Sequence, residues 1–353
     1  MLLKTEPIDT LFFRDGKPFN MGEDTWSNSV FPPYPSVFYG ALRTAYFAKE
    51  PDSFDLRGKE NDPTLALKIH SVLLNIWDNY YFPLPRDLVR EKDSGEKCAF
   101  PLQLQDAPYL SNCPLPKTLG VQDKVVETIA NGIIDRETLQ GYLENSSDLF
   151  YYSNLKEYVT QEPKIGIGID KKSGTAADTQ LYRSEMLRLA PECSIVIDYE
   201  GIELSESGFL KLGGEGKAAF YNHISNKEEA FLPSCSTLDN QYFKLYLLSP
   251  AVLSNGWLPA WIDPQSLAGI YEGLKVKLLA VALGKYVSVG GFDIKKGRPK
   301  PMVRAVPSGS VYYFELLEGE KEKVKQVFHY QPFENNDYAK EGFGTVLVGR
   351  VNP

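Results

Sequence analysis

One order of elements occurs twice along this chain, and that repetition limits the folds open to it. The first series opens with "DTLFFRDGKPF" (9–19), where Asp15-Gly16 is a hairpin signal after an apolar strand. In "PSVFYGALRTAYFA", Val37, Phe38, Ala41, Leu42, Ala45 and Tyr46 recur at helical spacing, with Ser36 placed to cap the first turn. "KIGIGID" and "TQLYRSEMLRL" read as a strand pair, a hairpin over 164–189, and "CSIVIDYEGIEL" continues as strand. Glycine-rich "KLGGEGKAAFY" (211–221) closes the series.

The second series runs through "YFKLYLLSPAVL", a short helix after Asp263-Pro264, "LKVKLLAVALGKYVSVGGFD", the aromatic strand "AVPSGSVYYFEL" and a second glycine turn in "EGFGTVLVGRV". Strands, a helix, more strands and a glycine loop, met twice, predict an α+β protein of two ferredoxin-like (RRM-like) domains. A chain of 353 residues has the length for two cores. The expected division is 1–238 and 239–353. A further helix is predicted from "NDPT", with Asp62 as cap, Pro63 in the first turn and Ala66, Ile69, Leu73 and Ile76 on one face. Residues 86–160 have weak periodicity and many turn formers, so they read as an irregular insertion holding one or two short helices.

Motifs for catalysis are missing. Around Lys217 a phosphate-binding P-loop would need a glycine where Lys211 stands and a hydroxyl residue where Ala218 stands. "KIGIGID" has no third glycine and opens no helix, so it is no dinucleotide fingerprint. The cysteines, Cys98, Cys113, Cys193 and Cys235, include no C-x-x-C pair, and no clustered metal ligands appear; neither metal nor cofactor is expected. Of the three histidines, His70 is read within a helix and His329 in a late strand, and only His223 stands near the glycine loop. The uncharged run 245–262 has the length of a membrane span but contains Pro250, Asn255, Gly256 and Pro259, so it reads as a buried strand and loop. With no apolar leader in "MLLKTEPIDT", the expected location is cytoplasmic, with no membrane partner.

What remains is binding. Glycines let a backbone approach a ligand closely, and successive N–H groups suit an anion. The net charge of −8 opposes indiscriminate coating of nucleic acid. Yet between Lys285 and Arg304 six basic residues (Lys285, Lys295, Lys296, Arg298, Lys300 and Arg304) face a single acid, Asp293. That concentration suits a polyanion track.

The stretches "DTLFFRDGKPF", "PYPSVFYGALRTA", "FPLPRDL", "IGIGIDKKSGTAADTQLYRSEMLRL", "LGGEGKAAF", "GGFDIKKGRPKPMVRAVPSGSVYYFE" and "GFGTVLVG" occur in this order along the whole chain. Together they resemble the RAMP superfamily of CRISPR-associated proteins, and within it the family of third subunits of the Cmr (type III-B) effector complex. The resemblance implies a non-catalytic subunit that holds the 5′ handle of the CRISPR RNA (crRNA). It also implies a large polymerase-like partner subunit, a neighbouring RAMP backbone subunit and a thumb-like hairpin. On this reading Lys164, Lys171, Lys172, Arg183, Lys211, Lys217, Lys295, Lys296, Arg298, Lys300 and Arg304 meet handle phosphates. Gly213, Gly214, Gly216, Gly342 and Gly344 face the RNA backbone, with Arg14 and Arg43 as further candidates. The RNP signature of sheet-reading RRM domains is absent, so contact through loops is implied. Two other readings stay open: a metal-independent endoribonuclease acting on CRISPR repeats, with His223 as its acid or base, and a purely structural adaptor.

Overall fold

The computed structural model describes residues 1–352 apart from 15–25, 107–113, 170–174, 225–230, 236 and 294–297. It is a mixed fold of mostly antiparallel sheets with few helices. Two compact units are present, each assembled from three stretches of chain: 1–67, 156–224 and 288–303 in the first, and 68–155, 225–287 and 304–353 in the second. This division by compactness does not follow the expected cut at 238/239.

In the first unit, strands Cys193–Glu200, Leu2–Pro7, Ala218–Ile224 and Ser207–Lys211 lie side by side in that order, all antiparallel. Thr5 stands between Ile195 and Tyr221, and its hydroxyl donates to the Ile195 carbonyl at 2.8 Å, which satisfies a fully buried polar group. Helix α1 (Pro35–Lys49) packs beside Ser207–Lys211. Proline at its first position suits a helix start; no side chain caps it, so the predicted Ser36 cap is not made. It buries Phe38, Ala41 and Leu42. From its exposed side Arg43 reaches Asp62 (2.6 Å) and Thr64 (2.7 Å). Burial pushes the Asp62 carboxyl up, but bonds from Gly58 and Thr64 and the Arg43 charge outweigh it and leave it below its ordinary value.

The second unit has a six-stranded order: Ala268–Tyr271, Leu274–Ala282, Val311–Glu318, Tyr242–Leu247, Thr345–Arg350 and Gln331–Pro332. Helix α3 (Lys321–Phe328) closes an aromatic core in which Phe243 and Phe314, paired in register, stack at 5.5 Å and Trp261 stacks on Tyr271 at 5.1 Å. Helix α2 (Arg136–Glu144) is capped by Asp135, whose carboxylate accepts from the Thr138 N–H at 2.8 Å. Under it lies Asp87, fully buried, which accepts from the hydroxyls of Tyr142 (2.6 Å) and Tyr313. Burial, and next the Asp87 charge, push both phenols well up, so they stay donors. The Lys244 ammonium sits 3.4 Å from the Tyr142 ring centre; burial pushes it down to about 8, against the pull of Asp87. These bonds join residues 82–155 to the C-terminal strands, which is why a cut at 238/239 does not mark compactness.

Three expectations from the sequence are corrected. The helix predicted from "NDPT" is instead the strand Lys68–Ile76, so His70 lies in a strand. Its burial on both faces gives a nearly continuous apolar run, which mimics helical spacing. Asp62 caps a turn there, accepting from Gly58 and Thr64 N–H groups. After Asp263-Pro264 there is a turn, because the Asp263 carboxylate accepts from both Gln265 and Ser266 N–H groups. Within 86–160 the short helix expected there is α2, but the rest is not irregular: it forms a series of short strands, including Leu88–Glu91 and Cys98–Pro101. The Asp15-Gly16 turn lies outside the described residues.

His329 ends α3 and is not in a strand. Its Nδ1 accepts from the Val348 N–H (3.3 Å) and its Nε2 faces the Pro233 carbonyl (3.2 Å), an arrangement for the neutral ring. Burial pushes its pKa down to about 4. The unfolded chain therefore binds the extra proton between pH 6.5 and 4, and the stability His329 contributes is lost as pH falls through that window. Denaturant titrations are expected to show a smaller loss between pH 6.5 and 4 in His329→Gln than in the parent.

Candidate nucleic-acid interface

Residues 9–14 organise the site in the first unit. Leu11 exchanges two backbone hydrogen bonds with Leu187 at 2.8 Å, which fastens the segment to the base of the hairpin Val159–Ile169 / Ala176–Leu189. On its other side the Phe12 carbonyl accepts from the Gly214 N–H at 2.8 Å. Leu11, Phe12 and Phe13 are all buried. Each such side chain contributes about 1.5–3 kcal/mol on burial.

Charges trim the same junction. Asp9 accepts from Lys217 (3.2 Å) and Arg188 (3.1 Å); Arg188 also grips Glu162, and Lys217 donates to the Thr10 hydroxyl at 2.8 Å. The Thr10 N–H and then Lys217 pull the Asp9 carboxyl down to about 2. One step outward, Lys164 of the hairpin lies 3.6 Å from Glu215 at the loop tip. Exposed pairs of this kind are worth about 0.2–1 kcal/mol each, so the apolar segment carries the junction and the ions set its register.

The loop glycines divide into two kinds. Gly213 has φ +81°, and a Cβ there would stand 2.4 Å from the Phe12 carbonyl oxygen; on Gly214 it would stand 2.9 Å from the Phe12 ring. The backbone these glycines admit is that of their own chain. Gly216, at φ +67°, has open space around it and is exposed with Gly214 and Glu215 at the tip.

The structure brings together Lys164, Gly213, Gly214, Gly216 and Lys217. Lys211 is exposed where the strand enters the loop, and Arg183 is exposed opposite Ile165 in the hairpin. Arg298 and Lys300 are exposed, with Lys300 bonded through its N–H to the Gly291 carbonyl and its stem lying against Gly291. Arg14 is exposed beside its bridge partner Ser29. Arg43 is committed to Asp62 and Thr64.

Three expected residues lie in the second unit. Arg304 stacks over the Tyr286 ring at 4.6 Å. Gly342 and Gly344 are buried: Gly342 donates to Ala339 and Gly344 to Pro250, which corrects their expected exposure. Lys171, Lys172, Lys295 and Lys296 lie outside the described residues.

His223 is not beside the loop. It stands at the far end of strand Ala218–Ile224, roughly 17 Å along it, with its Nε2 3.0 Å from the hydroxyl of buried Tyr199. Among the described residues no group of three or more His, Cys, Asp or Glu could hold a metal, and no helix is long and apolar enough to cross a membrane. Of the described cysteines, Cys98, Cys193 and Cys235, none forms a disulfide.

Sequence reading missed Asp9, Glu162 and Arg188, whose partners are distant in the chain. It also missed Phe209 and Phe220, a cross-strand pair flanking the loop, exposed by 65% and 37%.

Compared with known proteins, residues 3–351 match the family model described as CRISPR-associated protein (Cas_Cmr3). The chain is similar to "CRISPR system CMR subunit Cmr3" of Saccharolobus solfataricus, 24% identical over 328 residues, covering 90% of this chain and 88% of that protein. It also resembles a chain in the type III-B Cmr-β complex bound to cognate target RNA, with TM-score 0.56, 19% identity and coverage of 98% and 96%. A second such complex, also holding AMPPnP, matches with TM-score 0.54, 18% identity and 99% of each chain. The last two likenesses speak to fold.

Stability measurements are expected to separate the two kinds of glycine. Gly213→Ala adds a backbone collision to an unfavourable φ and is expected to lower unfolding free energy by about 2–3 kcal/mol. Gly216→Ala, with open space, is expected to cost about 1–2 kcal/mol. Equal losses in urea titrations would contradict this account of the loop.

Proposed function

Because this chain belongs to the Cmr3 family of CRISPR-associated proteins, we propose that it is the crRNA-binding subunit of a type III-B effector complex. In this reading it holds the 5′ handle, docks the large polymerase-like subunit and adjoins a RAMP backbone subunit, with no chemistry of its own. Its sheets are taken as the ferredoxin-like cores of the superfamily.

The observation that supports this reading most is the junction itself. A hairpin and a glycine-tipped loop are locked together through residues 9–13 and present exposed Gly214, Gly216, Lys164 and Lys211. An anchored, cation-edged loop of this kind suits a single strand whose backbone is gripped while its bases splay outward. Arg183, Arg298, Lys300 and, as a weaker candidate, Arg14 are exposed in the same unit and are further phosphate candidates there, whereas Arg43 is held by Asp62; Arg304 is a candidate in the other. Lys171, Lys172, Lys295 and Lys296 extend the proposal from sequence alone. Lys217 is a weaker phosphate ligand, since Asp9 already holds it and a phosphate must compete.

The ribonuclease alternative needs an acid or base at the scissile phosphate, whereas His223 is engaged by Tyr199 far along the strand from the loop. Incubation with repeat RNA in EDTA is expected to leave the RNA intact; cleavage abolished by His223→Ala would overturn this proposal.

Salt dependence gives the direct test. For single-stranded RNA each lost phosphate contact reduces the slope of log affinity against log salt by about 0.7. A folded Lys211→Ala, Arg298→Ala, Lys300→Ala triple variant is therefore expected to lose about two units of slope. Handle RNA held as tightly as by the parent at every salt concentration would sink the assignment.

A further inference from the structure

Two phenylalanines stand on the surface of the hairpin that the glycine loop closes. Phe209 and Phe220 are directly paired across strands Ser207–Lys211 and Ala218–Ile224. Their rings meet edge to face, 5.7 Å apart at 68°, and are 65% and 37% exposed. An edge-to-face contact leaves ring faces uncovered. Neither side chain has a polar atom that would favour water.

Strand alternation explains why they cannot turn inward. The opposite face carries Tyr221, buried, paired with Gly208; a Cβ on Gly208 would stand 2.9 Å from the Tyr221 hydroxyl oxygen. A one-residue slip would put the phenylalanines inside and Tyr221 out, at the cost of the packed face. The register therefore holds two aromatic rings outward.

Their neighbours show what the pair suits. Lys211 follows Phe209 on the same face and is exposed at the mouth of the loop. Glu6 stands in register with Phe220, but its carboxylate lies 3.3 Å from the Lys4 ammonium on the same face. Asn222, also on that face, carries a side-chain amide whose NH2 donates to the His223 carbonyl at 3.4 Å. From the ring pair to the loop is two residues, about 7 Å, a distance spanned within one nucleotide.

We propose that Phe209 and Phe220 form a stacking platform for one unpaired base of the RNA strand whose phosphates lie at Lys211 and the loop tip. This deepens the RNA-binding reading and rests on it. Aromatic stacking tolerates any base, because every base has a π-face, so the platform adds affinity and places the strand without reading sequence. It also explains how a sheet without the RNP signature contacts RNA: one cross-strand pair beside a loop replaces the usual row of aromatics.

The test uses the full chain and single-stranded handle RNA. Phe209→Ala and Phe220→Ala are each expected to weaken binding about 5- to 150-fold, the range measured for a lost base stack, with the salt slope unchanged. Phe209→Tyr, which keeps the ring, is expected to bind as the parent does, and Phe209→Leu, which keeps only apolar area, to bind as the alanine variant does. Ultraviolet crosslinking is expected to place a nucleotide on Phe209 or Phe220. If the parent binds with the expected salt dependence but both alanine variants bind equally well, the platform is refuted and the RNA-binding reading stands. The platform is refuted in the same way if the variants lose only a partner protein from the complex. A parent that shows no salt-sensitive binding removes the RNA-binding reading and the platform with it.

Discussion

Everything proposed for the first unit depends on the burial of Leu11, Phe12 and Phe13 between the hairpin base and the glycine loop. Two elements far from it in sequence, 159–189 and 211–217, are both bonded to this one segment, by Leu11 on one side and Phe12 on the other. The ion pairs around Asp9 could not replace it, since exposed pairs are individually worth a fraction of one buried aromatic side chain. Gly213 and Gly214 serve this contact first: the space a side chain would need is filled by Phe12.

Around that apolar centre the charges are nearly balanced. Asp9, Glu162 and Glu215 face Arg188, Lys217 and Lys164, three acids against three bases. Cations already compensated by carboxylates attract phosphate less than bare ones do, so basic residues without a built-in acid matter more to a polyanion. This accords with a chain of net charge −8 whose affinity would be local and shaped.

The hairpin, the α1 helix and the glycine loop were legible because each rests on a local signal: alternation, 3.6-residue spacing and a cluster of turn formers. Lys68–Ile76 was not, because a strand buried on both faces loses its alternation and its apolar residues fall at helical intervals by chance. The candidate cations were visible as residue types, but their states were not. Arg43 and Lys217 are consumed by Asp62 and Asp9, partners 19 and 208 positions away. Gly342 and Gly344 looked like the loop at 213–216, yet they are buried and bonded inside the second unit. Phe209 and Phe220 were hidden for a simpler reason: a surface aromatic and a core aromatic look alike until register assigns the face.

The interleaving of the two units bears on how the molecule is made. The second unit's six-stranded sheet needs Thr345–Arg350 between Tyr242–Leu247 and Gln331–Pro332, and the first unit includes 288–303. Neither unit is complete until nearly the whole chain has left the ribosome. Strand Leu2–Pro7, whose partners are Cys193–Glu200 and Ala218–Ile224, therefore waits unpartnered until more than half of the chain is made. Pairings this distant in sequence form slowly and leave edges open to wrong partners. Nascent chains of this protein are thus open to mispairing for longer than those of a protein of the same size with sequential domains.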